Sequence, residues 1–443
     1  MSELSRPGDQ AWEQSETGEQ REILKGPFFW LTAFYFIYCA RTQDYIGALS
    51  HLPLAKFAGL LAALGLALSA GRTRRRFKDL PKESVYLLLL IAVLFASAFV
   101  SPVSRADALF NTLDFAKVYI AWVLTFLLVT SFARLRRIIF IQASSVAIVS
   151  LAALVKGHSV PRLFGVIGGF YSNPNDLAFG IVLSIPFCLA FLFNSKSVLT
   201  KIIWCLAILV MAITLFKTAS RAGFIDLLVS GAVCLWYFGV KGKRHAMIVA
   251  TLVLGVLILA LTGGPLFERF TAISTGEGNA YGSYVERRML MTLAVKATLH
   301  YPILGVGAQN FEAYSGLWRN VHVAYLQIAA EGGIPGLVFY LLFFSRGFAN
   351  LKRLGKVGKL DREMSIFVGA SWASLIGFVV GACFAPEVYQ FFPYFTVCYT
   401  SVMLAMVEER NRAGVTAVSP AANRRLADFY LNRGRSRVFD PAR

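Results

Sequence analysis

The feature that most constrains this chain is the recurrence of apolar runs long enough to cross a bilayer. They lie near residues 27–40, 52–70, 84–101, 113–132, 138–155, 176–193, 202–216, 223–240, 246–262, 333–347, 365–384 and 388–407. A hydrocarbon layer about 30 Å thick takes roughly 20 apolar residues as a helix, and fewer where flanking residues sit at the interface. Inside that layer every backbone amide needs an internal partner, so runs of this kind read as helices. The sequence therefore predicts an all-α polytopic membrane protein of about twelve transmembrane helices, with 27–40 and 202–216 short. Composition agrees: 56% of the residues are hydrophobic and 16% charged, at a mean hydropathy of +0.59, too apolar for a soluble domain.

The 44 Lys and Arg against 25 Asp and Glu give a formal net charge of +19. A balance that basic would suit nucleic acid, so the positions of the charges have to decide, and they alternate with the spans. Arg72, Arg74, Arg75, Arg76, Lys78 and Lys82 share one connection, and Arg134, Arg136 and Arg137 the next on that side. Lys196 and Lys201 follow, then Lys241, Lys243 and Arg244, then six more between Arg346 and Arg362. With the two terminal segments, 31 of the 44 cations fall on one side, which the positive-inside rule makes the cytoplasm. This predicts a cytoplasmic segment 1–26, a membrane domain 27–407 and a basic cytoplasmic tail 408–443 that binds anionic lipid by charge. Nucleic acid is not an expected partner.

Residues 1–25 are polar and mixed in charge, and the first apolar run lacks a small-residue cleavage pattern. The first span is therefore expected to act as an uncleaved anchor. Cys39, Cys188, Cys205, Cys234, Cys383 and Cys398 all fall in predicted spans with no CxxC spacing, so neither a disulfide framework nor a zinc site is expected.

Most outer connections are short, but 156–175 is longer and 263–332 runs to about 70 residues, the length at which a loop usually carries function. Its start, STGEGNAYGS, has a flexible composition. YVERRMLMTLAVKATLHYPILGVG reads as a helix ended by Pro302 and a glycine-rich turn. On that helix Arg287, Met291, Ala294 and Thr298 share one side, with Arg288 about 100° round. A second short helix is expected from Asn320 as N-cap through His322 and Tyr325 to Glu331, ended by Gly332 and Gly333, with Pro335 opening the next span.

Four stretches could carry chemistry. In KTASRAGFI (217–225), Ser220 caps an incoming helix and sets Arg221 beside unpaired backbone N–H groups, a place suited to phosphate; an interfacial anchor is the plainer role for this arginine. Arg287 and Arg288 suit bidentate phosphate contact, although adjacent arginines on an exposed helix are commonly only solvated. In GGFYSNPNDLAFG (168–180), Asn173, Pro174, Asn175 and Asp176 form a turn and helix cap. His322 is more often a hydrogen-bonded structural residue in such a setting, but near a helix N-terminus its ring stays neutral and available as a base.

Asp114 and Lys117, three apart in the fourth span, are expected to pair, whereas Lys56 and Asp226 have no local partner. The outer loops hold no DxD, no paired carboxylates and no histidine cluster at ligand spacing, so neither a metal nor another cofactor is expected.

Taken together, the NPNDLA turn (173–178), SRAG (220–223), the run from Arg287 through HYPILGVGAQNF (300–311) and HVAYLQIAAEGGIPGL (322–337) resemble the O-antigen ligase and polymerase superfamily. The resemblance implies a metal-independent, inverting transfer of a glycan from an undecaprenyl diphosphate carrier to an acceptor hydroxyl, at the periplasmic face of the bacterial inner membrane. By it, Arg221, Arg287 and His322 are the catalytic candidates; Ser220 and Arg288 join the diphosphate-binding set, and Asn173, Asn175 and Tyr325 support it. Many relatives follow the histidine with asparagine where this chain has Val323. Lipid A-core is the leading acceptor; repeat-unit polymerisation and protein O-glycosylation use the same residues. A transporter or flippase of an anionic glycolipid is the rival of another class.

Overall fold

The computed structural model describes residues 24–44, 52–69, 73–160, 162–262, 278–357 and 360–412, with 264, 267, 268 and 271. The described residues form helices and no strand. In chain order they are α1 (Lys25–Ala40), α2 (Leu54–Leu68), α3 (Lys82–Val100), α4 (Arg105–Leu128), α5 (Phe132–Lys156), α6 (Pro174–Asn194) and α7 (Val198–Lys217). There follow α8 (Arg221–Val240, its last six residues π-helical), α9 (His245–Thr262), α10 (Gly278–His300), α11 (Phe311–Tyr314), α12 (Ala324–Lys356), α13 (Arg362–Gly381) and α14 (Phe391–Arg412). The chain is thus an all-α, multi-pass membrane protein.

Nine of the described helices are long and apolar enough to span a bilayer: α3 to α8 and α12 to α14. The expected twelve is not reached by that measure. Helices α1 and α2 cover the predicted first two spans with 16 and 15 residues, about 23 Å of rise for the shorter. Helix α9, of 18 residues, coincides with the predicted ninth. Most of segment 1–26 and of the tail 408–443, and part of the flexible stretch 274–283, lie outside the described residues.

Local sequence accounts for where helices begin. Ser104, Ser131, Asn173 and Ser220 each precede a helix and accept a hydrogen bond from a backbone N–H two or three residues on, supplying an acceptor to a group that the first turn leaves unpaired. At the basic end of the bundle, Arg75 is buried and donates to the carbonyls of Phe126 and Val129 at the end of α4, each at 3.0 Å, and to Glu409 of α14 at 2.7 Å. Its cationic connection therefore also closes the C-terminus of α4. Nearby, the buried carboxylate of Glu83 on α3 accepts from Ser401 at 2.6 Å and from Asn350 at 2.5 Å, with Arg346 of α12 at 3.5 Å. Asp114 and Lys117 pair as expected. Cys383 falls in an exposed turn beyond α13 rather than in a span, and all six cysteines are free thiols.

Helix α12 bends at Gly333, whose φ of 67° is left-handed and suited to glycine. The bend has a definite hydrogen-bond logic. Pro335 has no N–H for the carbonyl of Glu331, and the N–H of Ile334 turns away from Ala330 to donate to Pro302 at 2.8 Å. The two freed carbonyls are taken by the glycine-rich turn: Val306 donates to Ala330 at 2.9 Å and Gly307 to Glu331 at 3.0 Å. HYPILGVG and EGGIPGL are thus two halves of one backbone junction, which satisfies the amides that a broken helix would otherwise leave unpaired. Gly305, at φ 66°, sits so close that a β-carbon there would stand 2.5 Å from the Ala330 oxygen.

Candidate functional site

Around this junction the long loop before α12 has a core of its own. Leu290, Ala294 and Ala297 of α10 pack with Val306, Phe311, Val321 and Ala330. The spacing of 290, 294 and 297 makes a buried stripe on α10, and the half-buried Arg287 extends it by one turn toward the N-terminus. Arg288, 100° round, is exposed. Of the residues that share a side with Arg287, Ala294 is buried whereas Met291 is 41% exposed, because the packed face centres on Leu290 and Ala294. The helix also starts at Gly278, six residues before the Tyr284 read from composition.

The same core places His322, between the buried Val321 and the half-buried Val323. Helix α12 begins after it, at Ala324, with Val323 as N-cap, so the expected cap at Asn320 is corrected. The Asn320 amide instead donates to Glu312 at 2.9 Å, which leaves His322 at a bend just before the helix. Its Nδ1 is buried with no hydrogen bond among the described residues. Burial, then the charge of Arg287, then that of Arg319, pull the imidazole down from its ordinary value to about 4, since each disfavours a second positive charge. The ring is neutral at physiological pH.

A second group forms where α6 and α8 begin. Ser220 caps α8, accepting from the Gly223 N–H at 3.1 Å, and donates to Asn175 Oδ1 at 2.8 Å. Asn173 caps α6 through the Asn175 N–H at 3.0 Å. Half-buried Arg221 opens α8 directly after the capping serine. The N-termini of α6 and α8 are held close by Gly223: a β-carbon there would lie 2.6 Å from that of Ala178. NPNDLA and SRAG therefore meet along both their polar and their small residues.

Helix α13 connects the two groups. It packs on α6 and α8, and its C-terminal end receives the Tyr325 hydroxyl at the Val379 carbonyl (2.8 Å) and the Ala324 N–H at Ala382 (2.8 Å). Tyr325 thereby ties α12 to α13. The starts of α6, α8 and α12 and the end of α13 lie at one end of the bundle, with α10 against α12.

Two features were not singled out in the sequence. Arg319 stands near His322 and pairs with Glu286 of α10 at 2.7 Å; its separation from Arg287 by 32 positions hid it. Glu387, between α13 and α14, is buried facing Asp176 and Asp226. Burial and then Asp176 push its carboxyl well above the usual range. Asp226 packs against Gly381 so closely that a β-carbon on that glycine would stand 2.5 Å from the carboxylate. Asp226 thus has a long-range setting in place of a local partner.

Residues 206–341 match the O-antigen ligase family model. None of the curated proteins compared with the chain matches it. The matched segment contains Ser220, Arg221, Arg287, Arg288 and His322 together with both halves of the backbone junction. Over that segment the chain is similar to the O-antigen ligase family.

Proposed function

We propose that the protein is a metal-independent, inverting glycan ligase of the bacterial inner membrane. It moves a glycan from undecaprenyl diphosphate to an acceptor hydroxyl, lipid A-core or a similar glycolipid, at the periplasmic face. The observation that carries this reading is the neutral imidazole of His322 set beside Arg287 at the start of a helix.

Transfer breaks the bond between the anomeric carbon and the diphosphate oxygen and forms one from that carbon to the acceptor oxygen, with inversion. Negative charge grows on the departing diphosphate, and Arg221, at the start of α8 with its N-terminal amides, and Arg287 stabilise it. The acceptor hydroxyl is a weak nucleophile at neutral pH; His322 takes its proton during attack. Undecaprenyl diphosphate leaves, and the imidazolium returns its proton to solvent. Ser220, Asn173 and Asn175 hold the α6 and α8 starts in register, and Tyr325 fixes the start of α12.

The test is an envelope-glycan profile of a deletion strain complemented with wild type or with His322→Ala at equal abundance. Long chains stranded on the lipid carrier beside an unmodified acceptor support the ligase; stranded single repeat units would make the protein a polymerase. Full restoration by the alanine variant would overturn the role of His322 and favour a transporter.

A further inference from the structure

His322 lies on a segment that the structure holds firmly. Asn320 is bonded to Glu312, Val321 is buried in the loop core, and the Leu317 N–H donates to Ser315 Oγ at 3.2 Å. Between these ties the chain turns twice through left-handed conformations, at Gly316 (φ 70°) and Trp318 (φ 54°). The second is uncommon for a bulky residue and calls for a reason. Its result is that Arg319 meets Glu286 on α10 at 2.7 Å while its charge reaches the His322 ring. Glu286 directly precedes Arg287, so two guanidinium groups, one carboxylate and one imidazole make a single patch.

We propose that Arg319 is a third diphosphate-binding guanidinium of the site, and that Glu286 competes with the diphosphate for it. The proposal rests on the diphosphate reading above and adds a residue and a competitor to it. A structural latch would be expected to be buried, whereas the Arg319 side chain is 64% and that of Glu286 29% exposed. Exposed ion pairs hold weakly, and the segment's other ties keep its path when this one opens. A diphosphate carries more charge than a carboxylate and offers paired oxygens to a planar guanidinium, so it displaces Glu286. The exchange has a chemical consequence at the base. Arg287 and Arg319 both disfavour a protonated His322; a diphosphate neutralising them lifts that restraint, so the imidazole becomes more basic when the donor is in place.

The experiment is a calorimetric titration of the full-length protein with inorganic pyrophosphate, in neutral detergent, with thermal unfolding as a check on each variant. Arg319→Ala should weaken binding about ten-fold, the scale of one charge-assisted hydrogen-bonded contact. Glu286→Gln should tighten it about three-fold, the scale of losing an exposed competing pair. Lys296→Ala, at an exposed cation on the same helix, should leave it unchanged. A weakened or unaltered affinity in Glu286→Gln, or an unaltered one in Arg319→Ala, overturns the proposal. Arg287→Ala separates the two levels: if it weakens binding and Arg319→Ala does not, only Arg319 is misassigned, and if neither does, the diphosphate reading itself falls. The titration is repeated in phosphatidylglycerol nanodiscs. Loss of the Arg319→Ala difference there would assign the guanidinium to lipid headgroups and overturn the proposal.

Discussion

Ser220 donates its hydroxyl proton to Asn175 Oδ1 at 2.8 Å while accepting from the Gly223 N–H at 3.1 Å. One side chain thus caps α8 and fastens it to the start of α6. Ser220→Ala removes both bonds and should cost about 1–2 kcal/mol, the range of an N-cap with an added buried contact. Gly223→Ala should cost about 1–3 kcal/mol by overpacking against Ala178. Thermal unfolding in detergent measures both; unchanged midpoints would mean that the two helix starts are not held together here.

The two adjacent arginines on α10 should separate cleanly. Arg287 extends the buried stripe beside His322, and Arg288 is exposed. Arg287→Lys should lower ligation at least about ten-fold, because a point charge does not replace a planar fork, whereas Arg288→Ala should stay within about two-fold. Glycan transfer in reconstituted vesicles reads this. Equal losses at both positions would show that the face assignment does not govern activity.

The pH dependence follows from the sign of the His322 shift. Its folded-state value, about 4, lies below the ordinary 6.5, so between those values the unfolded chain binds more protons. Stability contributed by this group is level above pH 6.5 and falls as pH drops toward 4. Without bound diphosphate the ring should likewise stay unprotonated at pH 5.5, where an ordinary histidine would be mostly protonated. The pH dependence of carbethoxylation of His322 in the donor-free protein follows the group directly. A midpoint near 6.5 would contradict the burial and the two guanidinium neighbours.

Two left-handed glycines offer a controlled comparison. Gly305 has φ 66° and its β-carbon position lies 2.5 Å from the Ala330 oxygen; Gly316 has φ 70° and open space. Gly316→Ala pays only the conformational cost, about 1 kcal/mol. Gly305→Ala adds a clash at the junction that seats the long loop, and should lose about 3 kcal/mol or more together with activity. Comparable effects at both sites would mean that the junction is not a fixed part of the long loop.

The sequence by itself determined the helical class, because a 20-residue apolar run can satisfy its amides in a bilayer only as a helix, and basic connections alternate for a reason equally local. It also determined the caps at Asn173 and Ser220, whose side chains reach only two or three residues ahead. Only the tertiary structure decided which of Arg287 and Arg288 lies on the packed side, since that depends on the exact face α10 turns to α12. It moved His322 out of the helix, because Asn320 found a better partner in Glu312 than the N–H groups ahead of it. It alone brought Arg319 to Glu286, and Glu387 to Asp176 and Asp226. These are meetings between distant segments, set by how the loop core and α13 pack, and no local propensity encodes them.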